Sequence, residues 1–210
     1  FYLHPRVTIA ERAQAYDGHP WLLGPMWDYA AQTSLHALRL ICSGLFDKFP
    51  RLRIILGHLG EGIPYDLWRI DHLAEALTQK FPARKPIGDY FRANFHLTTS
   101  GHFNDATLQC AVAEMGADRI LFSVDYPFET NQDAASWFDK ADLSQAARLA
   151  IGPPMPSACS GWISPEPTKP SYGRFGCGLM STMASLFASM VKLIFAPGFS
   201  PFSRDAGATA

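Results

Sequence analysis

Cysteine is scarce in this sequence: four in 210 residues, at positions 42, 110, 159 and 177. No two of them stand as a C-x-x-C pair, which excludes a zinc cluster of that kind and a dense disulfide framework. Cys42 and Cys110 fall at apolar positions of helical patterns and are expected to be buried, reduced thiols. An excess of one charge is lacking too. Eighteen basic residues stand against 19 acidic ones, for a net charge of −1. With no Lys/Arg run and no interleaved basic-aromatic patch, neither nucleic acid nor an anionic membrane surface is an expected partner. No G-x-G-x-x-G or P-loop follows any strand pattern, so a nucleotide phosphate cradle has no support. No uninterrupted apolar run of about 20 residues is present, the length a bilayer span needs. The nearest candidate, residues 179–195, is broken by serines, Thr182 and Lys192, and reads first as a helix packed on a protein body and second as one lying on a membrane surface. No secretory leader is recognised. Phe1 stands inside what reads as a strand, so the first residues look like a cut edge, and a cytoplasmic location is expected.

What is present is apolar content of 48%, enough for one globular domain. Periodic patterns run through residues 1–152. Leu35, Leu38, Cys42, Leu45 and Phe49 recur at steps of three and four, predicting an amphipathic helix that Pro50 closes. Residues 53–57 read as a strand buried on both faces, because Ile54, Ile55 and Leu56 do not alternate with polar residues. A helix should open near Pro64, with Ile63, Leu67, Ile70, Leu73 and Leu77 on its apolar face. A polar loop containing Pro82 and Pro86 should lead to a third strand, "NFHLTTSG". Asn104 is placed to cap the next helix, whose inner face is Leu108, Ala111, Val112 and Met115, and Gly116 stops it. Residues 119–124, "RILFSV", read as the fourth strand. Residues 153–210 change character: they are rich in Pro, Gly and Ser, and read as a tail outside the main domain with one apolar helix.

Strand, loop and helix in repetition predict an α/β fold with a parallel sheet and crossover helices. Polar residues cluster just after each strand: His4, His58, Thr98 to Ser100, and Asp125. In a parallel barrel these positions share the C-terminal face, where such barrels keep their chemistry. A doubly wound open sheet is the alternative architecture. Imidazole and carboxylate brought together suit a divalent metal of borderline hardness. Glu61 lies three residues from His58, close enough to orient its imidazole; equally, it is a first-turn acid favoured by the helix dipole. Arg69 reaches either a substrate carboxylate or a neighbour, Asp66 or Asp71. Phe128 walls an aromatic pocket or packs in the core. His36 and His72 read as surface or packing residues, and His96 and His102 as residues that could line the pocket. The loop holding His19, Trp21 and Trp27 reads as a lid or subunit contact.

The ordered set "YLHPR" (2–6), "GHPWLLGP" (18–25), "IILGHLGEGIPYDLWRIDH" (54–72), "NFHLTTSG" (94–101) and "RILFSVDYPFE" (119–129) resembles the metal-dependent aromatic decarboxylases of the amidohydrolase superfamily. The likeness is to the branch acting on 2,3-dihydroxybenzoate and γ-resorcylate (2,6-dihydroxybenzoate), and it covers residues 1–152. It implies a (β/α)8 TIM-barrel fold. That barrel opens on a strand carrying an E-x-H ligand pair. No such pair precedes His4, so residues 1–152 are expected to be the C-terminal half. The resemblance further implies His4 and Asp125 as metal ligands, with His58 as an acid/base or substrate-binding group at the metal. Glu61 would support His58, Arg69 would belong to the surrounding polar network, and Phe128 would contact the substrate ring. One divalent ion (zinc, manganese or magnesium), a small aromatic carboxylic acid as substrate, and a homo-dimer or homo-tetramer are implied as well. The implied reaction is non-oxidative loss of carbon dioxide from an ortho-hydroxybenzoate. A hydrolase of the same superfamily and an inactive half-barrel are the competing expectations.

Overall fold

Short apolar strands flanked by longer helices set the architecture. A computed structural model of the chain describes residues 1–78 and 80–152. The expected Pro/Gly/Ser-rich tail with its helix at residues 179–195, and Cys159 and Cys177, lie outside the described residues.

The elements follow in the order β1 (Tyr2–Leu3), α1 (Ala10–Ala13), α2 (Asp28–Cys42), α3 (Leu45–Lys48), β2 (Ile54–Leu56), α4 (Ile63–Ala76), α5 (Ile87–Asn94), β3 (Phe95–Thr98), α6 (Asp105–Met115), β4 (Ile120–Leu121), α7 (Asn131–Lys140) and α8 (Gln145–Ile151). Short 3-10 turns join several of them. The four strands form one parallel sheet in the order β1-β2-β3-β4. Each strand therefore pairs with the next in sequence, without the reversal of order that a doubly wound sheet requires.

The register decides which face is covered. Residues paired across a sheet share a face, and residues one apart point to opposite faces. Ile54, Leu56, Phe95, Leu97 and Ile120, all at most 1% exposed, form the face under the helices. The other face carries Ile55 and His96, which are paired and only half-buried, and Leu121, which is exposed. The run of three apolar residues in β2 thus does not mark burial on both faces.

The helix over residues 35–49 differs from expectation in both start and register. α2 begins at Asp28, and Gly44 at φ +74° separates it from α3. Its buried stripe is Thr33, Ala37 and Ile41, spaced by four, whereas Leu35 and Phe49 are exposed. In α4 the expected face holds for Ile63 and Leu67 and fades at Leu73 and Leu77, which are exposed. The polar loop before the third strand contains an eight-residue helix, α5, whose first turn is tied to α4: the Gly88 N–H donates to both Asp71 oxygens, at 3.0 and 3.2 Å. Asn104 caps α6 as expected, accepting from Thr107 N at 3.1 Å. Cys42 and Cys110 are free and half-buried rather than fully buried.

Phe95 anchors the core. Its ring is fully buried and meets Phe91 and Phe46 at centroid separations of 5.0 and 5.5 Å. Phe95→Ala is expected to cost about 3–5 kcal/mol, read as a lowered urea midpoint, through lost transfer energy and a residual cavity. Phe49→Ala, at a residue 57% exposed, should cost less than about 1 kcal/mol; equal losses would contradict this packing. Among the described residues no helix is long and apolar enough to cross a membrane.

Candidate active site

The segment after β2 holds a left-handed turn. Residues 58 to 62 all have positive φ: His58 +49°, Leu59 +52°, Gly60 +90°, Glu61 +54° and Gly62 +81°. Three of the five are not glycine, and each such residue costs on the order of 1–3 kcal/mol. Packing and hydrogen bonds hold the turn. Leu59 is 1% exposed in the core, Gly60 N donates to Gly57 O at 2.8 Å, and Glu61 N donates to His58 O at 3.3 Å. Gly60 is required: a Cβ there would stand 2.9 Å from Pro64 Cδ and 3.1 Å from Leu97 Cδ1.

The turn presents His58 between two carboxylates. Its Nδ1 donates to Glu61 Oε1 at 2.7 Å, and its Nε2 lies 3.7 Å from Asp125 Oδ2, an ion-pair rather than a hydrogen-bond distance. The Glu61 side chain is nearly buried, and its contact is with the His58 ring. Burial of the His58 ring works against its charged form, but Asp125 and Glu61 outweigh it and raise the pKa to about 10.

Asp125 also has positive φ, +79°. Its carbonyl accepts from Phe128 N at 2.9 Å and Glu129 N at 3.2 Å, closing the turn that carries Phe128. Gly101 seals the other side: a Cβ on it would lie 3.1 Å from Asp125 Oδ2 and 3.3 Å from His58 Cδ2. His102 reaches the same turn, donating from Nδ1 to His58 O at 3.3 Å.

The remaining expected residues are placed differently. His4 is exposed, and its Nδ1 donates to Pro5 O at 2.8 Å. Arg69 is exposed on α4 and pairs with neither Asp66 nor Asp71; Asp71 serves Gly88 instead. Phe128 is 67% exposed, so it is not a core residue. His96 faces the half-covered side of the sheet, and burial lowers its pKa. His36 and His72 are exposed, and the His72 ring stacks on Trp68 at 4.9 Å. His19, Trp21 and Trp27 are all exposed.

Three further residues, Tyr2, Ser123 and Asp28, are not among those the sequence singles out. Tyr2 lies at the centre: its hydroxyl bonds to Thr98 and Ser100, and burial, then the charges of Asp125 and Glu61, push its pKa up against those hydrogen bonds. Thr98 Oγ1 and Ser100 Oγ are 2.9 Å apart, and Ser100 Oγ donates to Ser123 Oγ at 2.9 Å. A chain of hydroxyls thus underlies the charged groups. Asp28, fully buried at the start of α2, accepts from Thr8 N at 3.2 Å and Gln32 Nε2 at 3.3 Å, and bonds to the Tyr16 hydroxyl. It ties down the loop that follows His4. Alternation gave a signal for Tyr2 on β1; nothing local marks Asp28.

The donors fit a divalent ion in kind and fall short in number. Among the described residues no group of three or more His, Cys, Asp or Glu converges as a metal site. His4 and Asp125, the two candidates expected from the sequence, are each of a donor type that such an ion accepts. A cavity of about 220 Å³, lined by Asp47, Lys85, Tyr90 and Asn94 among others, lies at the opposite end of the strands. Three of its polar side chains are already bonded: Tyr90 donates to Asp47 at 2.6 Å, and Asn94 donates to the Pro50 and Leu52 carbonyls.

Residues 2–154 match the amidohydrolase family model. Over 154 residues, 72% of this chain and 47% of the relative, the sequence is 56% identical to a gamma-resorcylate decarboxylase of Polaromonas sp. strain JS666. A crystal structure of a dihydroxybenzoic acid decarboxylase from Polaromonas sp. JS666, with bound manganese and the inhibitor 2-nitroresorcinol, superimposes with a TM-score of 0.70 at 56% identity, covering 72% of this chain and 46% of that one. A 2,6-dihydroxybenzoate decarboxylase complexed with 2,6-dihydroxybenzoate gives a TM-score of 0.70 at 55% identity, over 72% and 48% of the two chains. The chain spans about half the length of the relatives it matches.

Proposed function

The chain belongs to the amidohydrolase family, and from that premise we propose that it carries the acid/base part of a metal-dependent carboxy-lyase. The substrate is an ortho-hydroxybenzoate, with 2,6-dihydroxybenzoate favoured over 2,3-dihydroxybenzoate. The carrying observation is His58 held between Glu61 and Asp125, in a sequence more than half identical to gamma-resorcylate decarboxylases.

Each residue then has a task. Glu61 fixes the ring of His58 and balances its charge. The His58–Asp125 pair holds a proton beside the place where the ring carbon must be protonated. The bond between ring and carboxylate breaks, its electron pair stays on the ring carbon, carbon dioxide leaves, and that carbon takes the proton. His4 and Asp125 contribute to holding one divalent ion, manganese by analogy with the related structure. A bound ion of this kind supplies a template and Lewis acid for the carboxylate and the ortho oxygen. Phe128, exposed beside Asp125, is assigned to the substrate ring, and Arg69 to carboxylate recognition or to the network around it. The four parallel strands are assigned to half of a (β/α)8 barrel. A cytoplasmic homo-dimer or homo-tetramer completes the proposal.

The test is release of carbon dioxide from 2,6-dihydroxybenzoate by the purified chain with manganese, beside 2,3-dihydroxybenzoate and without metal. Metal-dependent turnover, faster on the 2,6-isomer, is expected. The presence of only two candidate ligands among the described residues favours a second reading, a non-catalytic half-barrel. Protein that retains no metal and turns over neither isomer would replace the first reading by the second.

A further inference from the structure

We propose that Thr99 is the residue that positions Asp125: its buried hydroxyl, bonded in both directions to the backbone of Ser123, replaces a missing rung between the ends of β3 and β4. The inference rests on the role proposed above for Asp125.

The ladder between β3 and β4 pairs Leu97 with Ile120 and Thr98 with Leu121, and its last regular rung is Thr99 N to Leu121 O at 3.1 Å. Main-chain pairing resumes only at Gly101 N to Val124 O, at 3.2 Å. Between them one side chain, that of Thr99, bonds to the main chain of Ser123. Ser123 N donates to Thr99 Oγ1 at 2.9 Å, and that hydroxyl donates to Ser123 O at 2.7 Å. A threonine hydroxyl has one proton to give, and here it goes to the same residue whose N–H it accepts. The second clamp on Ser123 is the hydroxyl chain, through Ser100.

Two residues further on, Asp125 adopts φ +79°. A non-glycine residue stays in that region only where its surroundings impose it. The approach to Asp125 is fixed by the Thr99 clamp and the Gly101 bond, and the exit by the two N–H groups of Phe128 and Glu129. Thr99 is fully buried, so water does not substitute for the hydroxyl. Its action on the site runs through Ser123, which makes it a positioning residue.

The test uses the full chain with Thr99→Val, which swaps the hydroxyl for a methyl of similar size, and Thr99→Ser, which keeps it. In Thr99→Val the Ser123 amide should exchange at least about tenfold faster with solvent. The NMR resonances of the Asp125 amide and the His58 ring should move, and manganese binding should weaken about 10- to 100-fold, the usual effect of losing an outer-shell partner. Thr99→Ser should restore all three. Asp125 and His58 resonances in Thr99→Val that coincide with the parent's would overturn the inference, even with a faster Ser123 amide. If the parent chain binds no manganese, the reading of Asp125 as a metal ligand fails, while the resonances still decide the positioning. If Thr99→Val does not fold, Thr99→Cys is read by the same resonances with the same two outcomes.

Discussion

Asp125→Asn is expected to lower turnover of 2,6-dihydroxybenzoate by about 10²- to 10⁴-fold, the range that a positioned acid or base contributes. Asparagine is the informative replacement because of the backbone. Asp125 sits at φ +79°, a region that Asn tolerates and Ala does not. Asp125→Ala would mix the loss of the carboxylate with a shifted turn, whereas the amide keeps the side chain's shape. Asn removes the charge facing His58 and the group proposed to share its proton. The apo protein should keep its far-UV circular dichroism, since Asp125 lies outside the hydrophobic core. Steady-state rates above one tenth of the parent's in Asp125→Asn would remove Asp125 from the chemistry. Unchanged manganese affinity in the same variant would remove it from the metal.

The second large effect is on stability. His58 has a pKa of about 10 in the folded chain and about 6.5 when unfolded. Between those values the folded state binds more protons than the unfolded state, so stability falls as pH rises. The contribution is fully present below about pH 6.5 and is lost through about pH 10. In metal-free protein the slope should approach, and not exceed, about 1.4 kcal/mol for each pH unit in that window. The ring's partial exposure, 27%, makes this an upper bound. Glu61→Gln keeps the shape of the turn and removes one of the two counter-charges, so its stability profile should be flatter from pH 7 to 10. Urea unfolding at several pH values in a chelator-containing buffer measures both proteins. Parallel profiles would show that Glu61 does not hold the charge on His58.

These two expectations draw on different levels of information. The sequence by itself determined where the strands lie, though not their lengths: β2 is an apolar run that stops at Gly57, whereas β4 keeps only Ile120–Leu121 of the expected residues 119–124. It determined the cap at Asn104, a contact spanning only three residues. It determined that His58 and Asp125 end strands of one parallel sheet, and hence that they share an end. Local propensity and spacing are sufficient there, since each feature depends on neighbours in the chain.

Tertiary structure decided the rest. The stripe through Leu35, Leu38 and Cys42 competes with one through Thr33, Ala37 and Ile41, and only packing against the sheet selected the second. Asp71 has Arg69 two residues away, yet bonds to Gly88, 17 residues on. Tyr2 meets Thr98 and Ser100 only because β1 and β3 flank β2. The left-handed turn at residues 58 to 62 needs Leu59 anchored in the core before its strain is sustained. Asp28 is buried only because the loop after His4 folds over the start of α2. The bond from Thr99 to Ser123 spans 24 residues, and no local pattern encodes a partner at that distance. Sequence fixes which chemical groups stand at the ends of strands; the distances and charges between them arise from contacts that form only when the sheet assembles.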